Sequence, residues 1–412
     1  MFEPLFRLYN LFSAPFYHRM RPYLLKLLCG FLPLAPPQHA LCVPPISSSH
    51  RTVGRLLDIS SLSINQTDTI NEIGKLVPLD QPTSIFNPHD RQMYHFELLG
   101  YTAPVDNSSL RFRVYAPETS DAELAEKVGR FYLLLYHEVH QHLHFDYPSQ
   151  QPVSVWLSPI NYANADVGGE QFRDQIYIYN IYAKRSSIEW CRELAHEYGH
   201  YILPGVTGYT APEPWANGVL GERLFLYWLW RDVKNGEIPL SSLPFCTRDD
   251  LEAYLNLQIF PLISRIAFAQ RFSSSWLSRT DAAGMDNYTA LCLYIDAVYG
   301  SHTLLEAMAF TEPSTTNPLV TAPDFMNGFY KAMQNLSSIT ISMPPIPQPF
   351  HRLLLYLPAG HWHILGNMAW QVADPKLVIK NHLLFVPQAG WHVIRFSTPP
   401  SLITLTLTRP SR

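Results

Sequence analysis

Among 17 histidines, one pair is spaced with an intervening carboxylate in the way that metal-assisted hydrolysis requires: His196-Glu197-Tyr198-Gly199-His200. On a helix, residues four apart lie within about 40° of one another, so both imidazoles can reach one cation. Glu197 stands one step round, close enough to take a proton from water without being a ligand. Neutral nitrogens hold the ion, the ion acidifies water, and a carboxylate completes the deprotonation. A near copy upstream, His137-Glu138-Val139-His140-Gln141-His142, fails because Gln141 is the fourth residue after His137. His140 and His144 share a face there without an intervening glutamate, and that face reads as partly solvated.

A catalytic zinc takes three protein ligands and leaves one position for water. The continuation His-x-x-Gly-x-x-His would need a histidine six residues past His200, and Val206 stands there, which excludes the metzincin pattern. A glutamate from the following helix is the alternative. Pro214-Trp215-Ala216-Asn217-Gly218-Val219-Leu220-Gly221-Glu222-Arg223 supplies Glu222, with Glu213 as the other carboxylate in the same stretch. Pro204-Gly205 allows the chain to turn between the two helices, and Gly218 and Gly221 would let them approach closely.

The elements that must hold these residues are legible in outline. Ser186-Ser187-Ile188-Glu189 is a capping box that opens the histidine helix, which must stop before Pro204. A second helix is expected from Pro214 to Asp232. Upstream, Leu110 to Tyr115, Pro152 to Leu157 and Gln175 to Tyr182 read as strands. Ser120-Asp121-Ala122-Glu123 caps a long helix from Asp121 to His144, and a short helical pattern lies near Thr69 to Lys75. From Asp249 to Met333 the pattern is mostly helical, broken at Thr311 to Ala322. Residues 343 to 412 alternate between Pro-rich joints, as at Leu402 to Leu407, and read as a small all-β domain. Within it, Pro358-Ala359-Gly360-His361-Trp362-His363 returns as Pro387-Gln388-Ala389-Gly390-Trp391-His392, a pair of strand-turn units in which the histidines stand beside a packed tryptophan.

The order of strand, His-Glu-x-x-His helix and second helix with a carboxylate resembles the glutamate-zincin metallopeptidases, the thermolysin-like and aminopeptidase group, over roughly residues 150 to 310. The resemblance implies an α+β fold: a zincin-like catalytic region of small sheet plus motif helix, a mostly helical region completing the cleft, and the β-rich tail. Expected bounds are 1–42 for an apolar arm, 43–235 for the N-terminal and zinc-binding region, 236–338 for the helical region and 343–412 for the tail. It further implies Zn2+ as cofactor, held by His196, His200 and Glu222, with Glu197 as general base and a peptide or protein as substrate. Those families carry Asn-Glu-x-x-x-Asp or Trp-x-Asn-Glu-Gly in the second helix. Here Trp215 and Asn217 are followed by Gly218, so the usual ligand position is a glycine and Glu222 falls where a carboxylate often backs a histidine ligand. Either Glu222 binds the metal, with Arg223 as its neighbour, or Glu213 does, or the site is degraded. The resemblance also nominates Tyr288 for the oxyanion, with Tyr209 and Tyr294 as rivals, and Gln175 to Tyr182 as the sheet edge that pairs with an extended peptide. A Gly-x-Met-Glu-Asn motif is missing before the motif helix, which disfavours an aminopeptidase.

Composition bounds the rest. The 412 residues are 47% apolar and only 16% charged against about 25% in an average domain. Lys plus Arg at 30 and Asp plus Glu at 34 leave a net charge of −4, which lacks the basic footprint of a nucleic-acid binder. The five cysteines, at 29, 42, 191, 246 and 292, form no CxxC, and a Cys246–Cys292 pair stays open. Residues 20 to 42 place Arg21 and Lys26 before a short apolar run, the plan of a secretory signal, so an extracytoplasmic or secreted protein is expected. No other stretch suggests a stable membrane span. The expected function is zinc-dependent hydrolysis of peptide bonds. The alternative is a non-catalytic surface or binding protein that keeps a degraded zincin fold and works through its β-rich tail. A zinc hydrolase of another bond type fits the same motif.

Overall fold

Alternation along the strands decides how the first sheet is faced. In β5 (Leu110–Ala116), β6 (Val153–Leu157) and β8 (Gln175–Tyr179), the residues Phe112, Val114, Val155, Ile176 and Ile178 enter the main core. Their neighbours Tyr115, Trp156, Tyr177 and Tyr179 point the other way and form a separate aromatic cluster, as a period of two requires. The computed structural model describes residues 75–78, 84–101, 110–144, 152–161, 168–314, 317–346, 352–365, 370–372, 377–396 and 404–408. The signal-like segment 20–42 and the helical pattern from Thr69 lie outside them, apart from its last residue, Lys75.

Six strands make the sheet in the order β1-β4-β5-β6-β8-β7, with β1 at Lys75–Pro78, β4 at Phe96–Tyr101 and β7 at Gly168–Phe172. The β5–β6 pair is parallel, and a parallel neighbour needs a crossover. The crossover is α1 (Ala122–Leu143), which packs its apolar face on the sheet. Its capping box is Glu118 with Asp121, around a preceding 3-10 turn, and not the expected Ser120 with Glu123. A short hairpin, β2 (Ile85–Asn87) with β3 (Gln92–Tyr94), brings Tyr94 and Ile85 onto the aromatic cluster. There Tyr115 stacks on Trp156 at 4.0 Å.

The edge of this sheet differs from the expectation. Strand β8 stops at Tyr179, where Asn180 takes a left-handed φ of 49°, and it is flanked by β6 and β7. The outer position belongs to β7, whose Gly168-Gly169 start hides it from a search for alternating apolar residues.

Helix α2 (Ser187–Ile202) opens with the Ser186–Glu189 capping box and ends where Pro204 forces Leu203 into extended backbone. Helix α3 (Asn217–Asn235) begins three residues later than expected and closes on Gly236 at φ 79°. These two helices cross at glycines: a Cβ on Gly199 would lie 2.8 Å from the Gly221 Cα. Beyond them, α4 (Arg248–Tyr254) runs through a π-helical turn at Leu255–Ile259 into α5 (Phe260–Ala267). Then follow α6 (Ala282–Tyr299), α7 (Ser301–Ala309) and α8 (Ala322–Asn335).

After α8 every described element is a strand. They form a five-stranded sheet, β13-β14-β11-β16-β9, and a three-stranded one, β10-β15-β12. The strands are β9 (Ser338–Ser342), β10 (Arg352–Leu357), β11 (Gly360–Leu365), β12 (Trp370–Val372), β13 (Val378–Lys380), β14 (Leu383–Val386), β15 (Gly390–Phe396) and β16 (Thr404–Thr408). Tyr294 and Tyr299 of α6 donate to the carbonyls of Leu354 and Tyr356, and Ile339, Leu353 and Trp362 share one core with the helices. The two echo units fall in different sheets: His361 and His363 are exposed on β11, whereas His392 is buried on β15 beside the stacked Trp391 and Phe272. Among the described residues no helix is long and apolar enough to cross a membrane.

Candidate metal centre

Helix periodicity puts Arg192, His196 and His200 on one face of α2, and that face meets the start of α3. The Nε2 atoms of His196 and His200 stand 3.2 Å apart. Asn217, at the first position of α3, fixes the second ring. Its amide nitrogen donates to the carbonyls of His200 and Leu203, so its Oδ1 is the acceptor that His200 Nδ1 meets at 2.9 Å. His200 therefore carries its proton on Nδ1 and presents a lone pair on Nε2.

The third group at this point is Glu213, on the loop between the helices. Its Oε2 is 3.0 Å from His200 Nε2 and 3.4 Å from His196 Nε2. Two ring nitrogens and a carboxylate oxygen, each an atom type that can ligate a cation, converge within 4.8 Å. For a tetrahedral zinc with bonds of about 2.0–2.1 Å, ligand atoms are separated by about 3.3 Å, and the three distances match. His196, His200 and Glu213 could thus hold one divalent cation.

Glu222 does not join that cluster. Its Oε2 faces the opposite nitrogen of the first ring, 3.8 Å from His196 Nδ1, and its Oε1 accepts from Arg192 Nε at 2.7 Å and Tyr254 Oη at 2.5 Å. The expected ligand is therefore a backing group for His196. Glu222 follows Asn217 by five positions on α3, and that turn and a half of helix carries its carboxylate behind the rings. Arg223 pairs with Asp286 of α6 at 2.7 Å, while Arg192 takes the role foreseen for it.

Glu197 lies next to the pair, 5% exposed, with Oε2 buried and unpartnered. Burial pushes its carboxyl up to about 7 against the pull of His196 and His200. Gly169 of β7 is the reason it fits: a Cβ there would come within 2.5 Å of the Glu197 Cγ. Gly218 has the same function on the other side, since a Cβ at that position would sit 2.6 Å from His196 Nε2. Burial works against charge on Glu213 and Glu222 too. His196 and His200 nevertheless draw Glu213 down to about 2, and Arg192 and His196 draw Glu222 below the usual range. Against burial, which lowers it, Glu213 and Glu222 hold His196 well above its ordinary value.

Tyr288 stands apart from these groups. It is fully buried on α6, edge-on to Phe325 at 5.3 Å, with its hydroxyl against the Cys292 thiol. Tyr294 is spent on the Leu354 carbonyl. Tyr209 keeps a buried hydroxyl without a partner. Cys246 touches Cys191, not Cys292, and all three are free thiols.

The upstream near copy presents two faces. Glu138 and His142, four apart, point inward on α1 and meet Asp232 of α3, with His142 Nε2 2.9 Å from Asp232 and 3.4 Å from Glu138. Arg231 lies 3.1 Å from both ring nitrogens of His142, so a guanidinium already holds the cationic position. This face of the helix is a buried charge network because α3 covers it, whereas His140 is half-buried and His144 exposed, the partly solvated face expected of those two.

The sequence offers Glu213 only as a second choice and gives no sign of Gly169, of Tyr254 or of the contact between Asn217 and His200. The i, i+4, i+8 run Arg192-His196-His200 was the readable signal for Arg192. The chain matches no family model and no curated protein.

Proposed function

We propose that the chain is a zinc-dependent hydrolase of peptide bonds, organised in the manner of the glutamate zincins, with His196, His200 and Glu213 as ligands and Glu197 as general base. The observation that carries the reading is the convergence of three atoms able to ligate a cation beside a buried glutamate whose free oxygen has no partner. Bound zinc would supply Lewis acidity, acidifying water and polarising a carbonyl. Glu197 Oε2 then takes the water's proton and returns it to the leaving amine, a task suited to a carboxyl near 7. Asn217 holds the His200 tautomer, and Glu222 faces His196 Nδ1 to hold the other ring. Strand β7, at the sheet edge against Glu197, offers backbone to an extended peptide.

The test is direct. Purified protein is expected to contain about one zinc per chain, removable by a chelator with loss of hydrolysis. Glu197→Gln should retain the metal and lose activity by at least about a hundredfold. Protein that takes up no zinc would end this reading, and zinc-loaded wild type without hydrolysis would favour the non-catalytic binding protein that Gly218 suggests.

A further inference from the structure

Glu222 is gripped by two side chains from different elements. We propose that Tyr254 and Arg192 are positioning residues that set how tightly the His196–His200–Glu213 site holds a divalent cation, acting through Glu222 on His196; this rests on the metal reading above. Both donors converge on the same oxygen, Oε1, at 2.5 Å from Tyr254 Oη and 2.7 Å from Arg192 Nε. That leaves Oε2 as the oxygen turned to His196 Nδ1. At 3.8 Å the contact is electrostatic and not a hydrogen bond, and a carboxylate there favours the ring proton on Nδ1 and the lone pair on Nε2, toward His200 and Glu213. Without the grip, a buried glutamate can rotate either oxygen toward the ring or away from it.

The arrangement gathers three elements at one oxygen. Arg192 and His196 share a face of α2, Glu222 comes from α3, and Tyr254 ends α4 just before the π-helical turn. The Arg192 guanidinium also lies 5.4 Å from the Tyr254 ring centroid, so the two donors brace one another. Tyr254 is nearly buried, and its ring stays packed when only the hydroxyl is removed.

The experiment uses full-length protein stripped with a chelator and titrated with zinc alone against a chromophoric competitor. Tyr254→Phe and Arg192→Met are each expected to weaken zinc binding about tenfold, and Glu222→Gln by about ten- to a hundredfold. Arg192→Lys, which keeps the charge and loses the Nε contact, should fall between wild type and Arg192→Met. Tyr294→Phe deletes a buried hydroxyl elsewhere and should bind zinc as wild type does. Unchanged zinc affinity in Tyr254→Phe and Arg192→Met would overturn the inference, even if their thermal stability drops. Wild type that fails to bind zinc is a different result and removes the metal reading itself.

Discussion

Three atoms able to ligate a cation meet where His196, His200 and Glu213 converge, and the residues around them are chosen as much for what they lack as for what they offer. Gly218 is the clearest case. Alanine is a better helix former than glycine by about 1 kcal/mol, so propensity alone favours Gly218→Ala. A Cβ there would press on both histidine Nε2 atoms, 2.6 Å from that of His196. Gly218→Ala is therefore expected to keep its helical circular dichroism while zinc uptake falls by more than about tenfold. Wild-type affinity in that variant would mean that the rings do not meet at this glycine. Gly169 plays the same part for Glu197. Neither glycine is needed for a positive φ; both are needed for space.

At the scale of elements, the crossing of α2 and α3 fixes the distance between the histidines and the loop that carries Glu213. The contact is backbone on backbone: Gly199 against the Asn217 carbonyl and the Gly221 Cα, and Gly221 against Gly199. A methyl at this point cannot be absorbed by a side chain moving aside. Gly221→Ala should separate the helices and cost about 2–3 kcal/mol in denaturant unfolding, with weaker zinc binding in the same variant. An unchanged midpoint would show that the crossing has slack. The sheet contributes differently. Its inner face of Val and Ile seats α1 and α2, and its outer edge, β7, brings Gly169 to Glu197.

For the molecule as a whole, the buried network between α1, α3 and α6 links stability to pH. Glu138, Asp232 and Asp296 stand against Arg231 and His142. Burial pulls the His142 imidazole down, but Asp232 and Glu138 outweigh it and hold it at about 9 against an ordinary 6.5. A pKa raised by folding gives stability that is complete below the unfolded value and is lost as pH rises through the folded one. The chain should lose up to about 3 kcal/mol between pH 6.5 and 9 from this group. Urea midpoints measured across that window should fall, and His142→Gln should flatten the fall. A midpoint that holds level in wild type would count against the charged His142.

Local spacing alone determined that His196 and His200 share a helix face with Glu197 one step round, the capped helix that carries them and the α+β character, because a helix fixes angular relations between residues four apart. The strand readings at Leu110 and Pro152 held for the same reason: alternation is a local property. Which carboxylate completes the donor set was decided by tertiary structure. On sequence Glu222 is the first choice and Glu213 the second, and the packing of α2 on α3 around Gly199 and Gly221 reverses them, with Glu222 behind His196 and Glu213 at both rings. Likewise, that Glu138 and His142 are buried partners of a charge network is legible only once α3 covers them with Asp232 and Arg231. Sequence states which groups can act together on one element, whereas the burial and charge that assign their roles come from elements far apart in the chain.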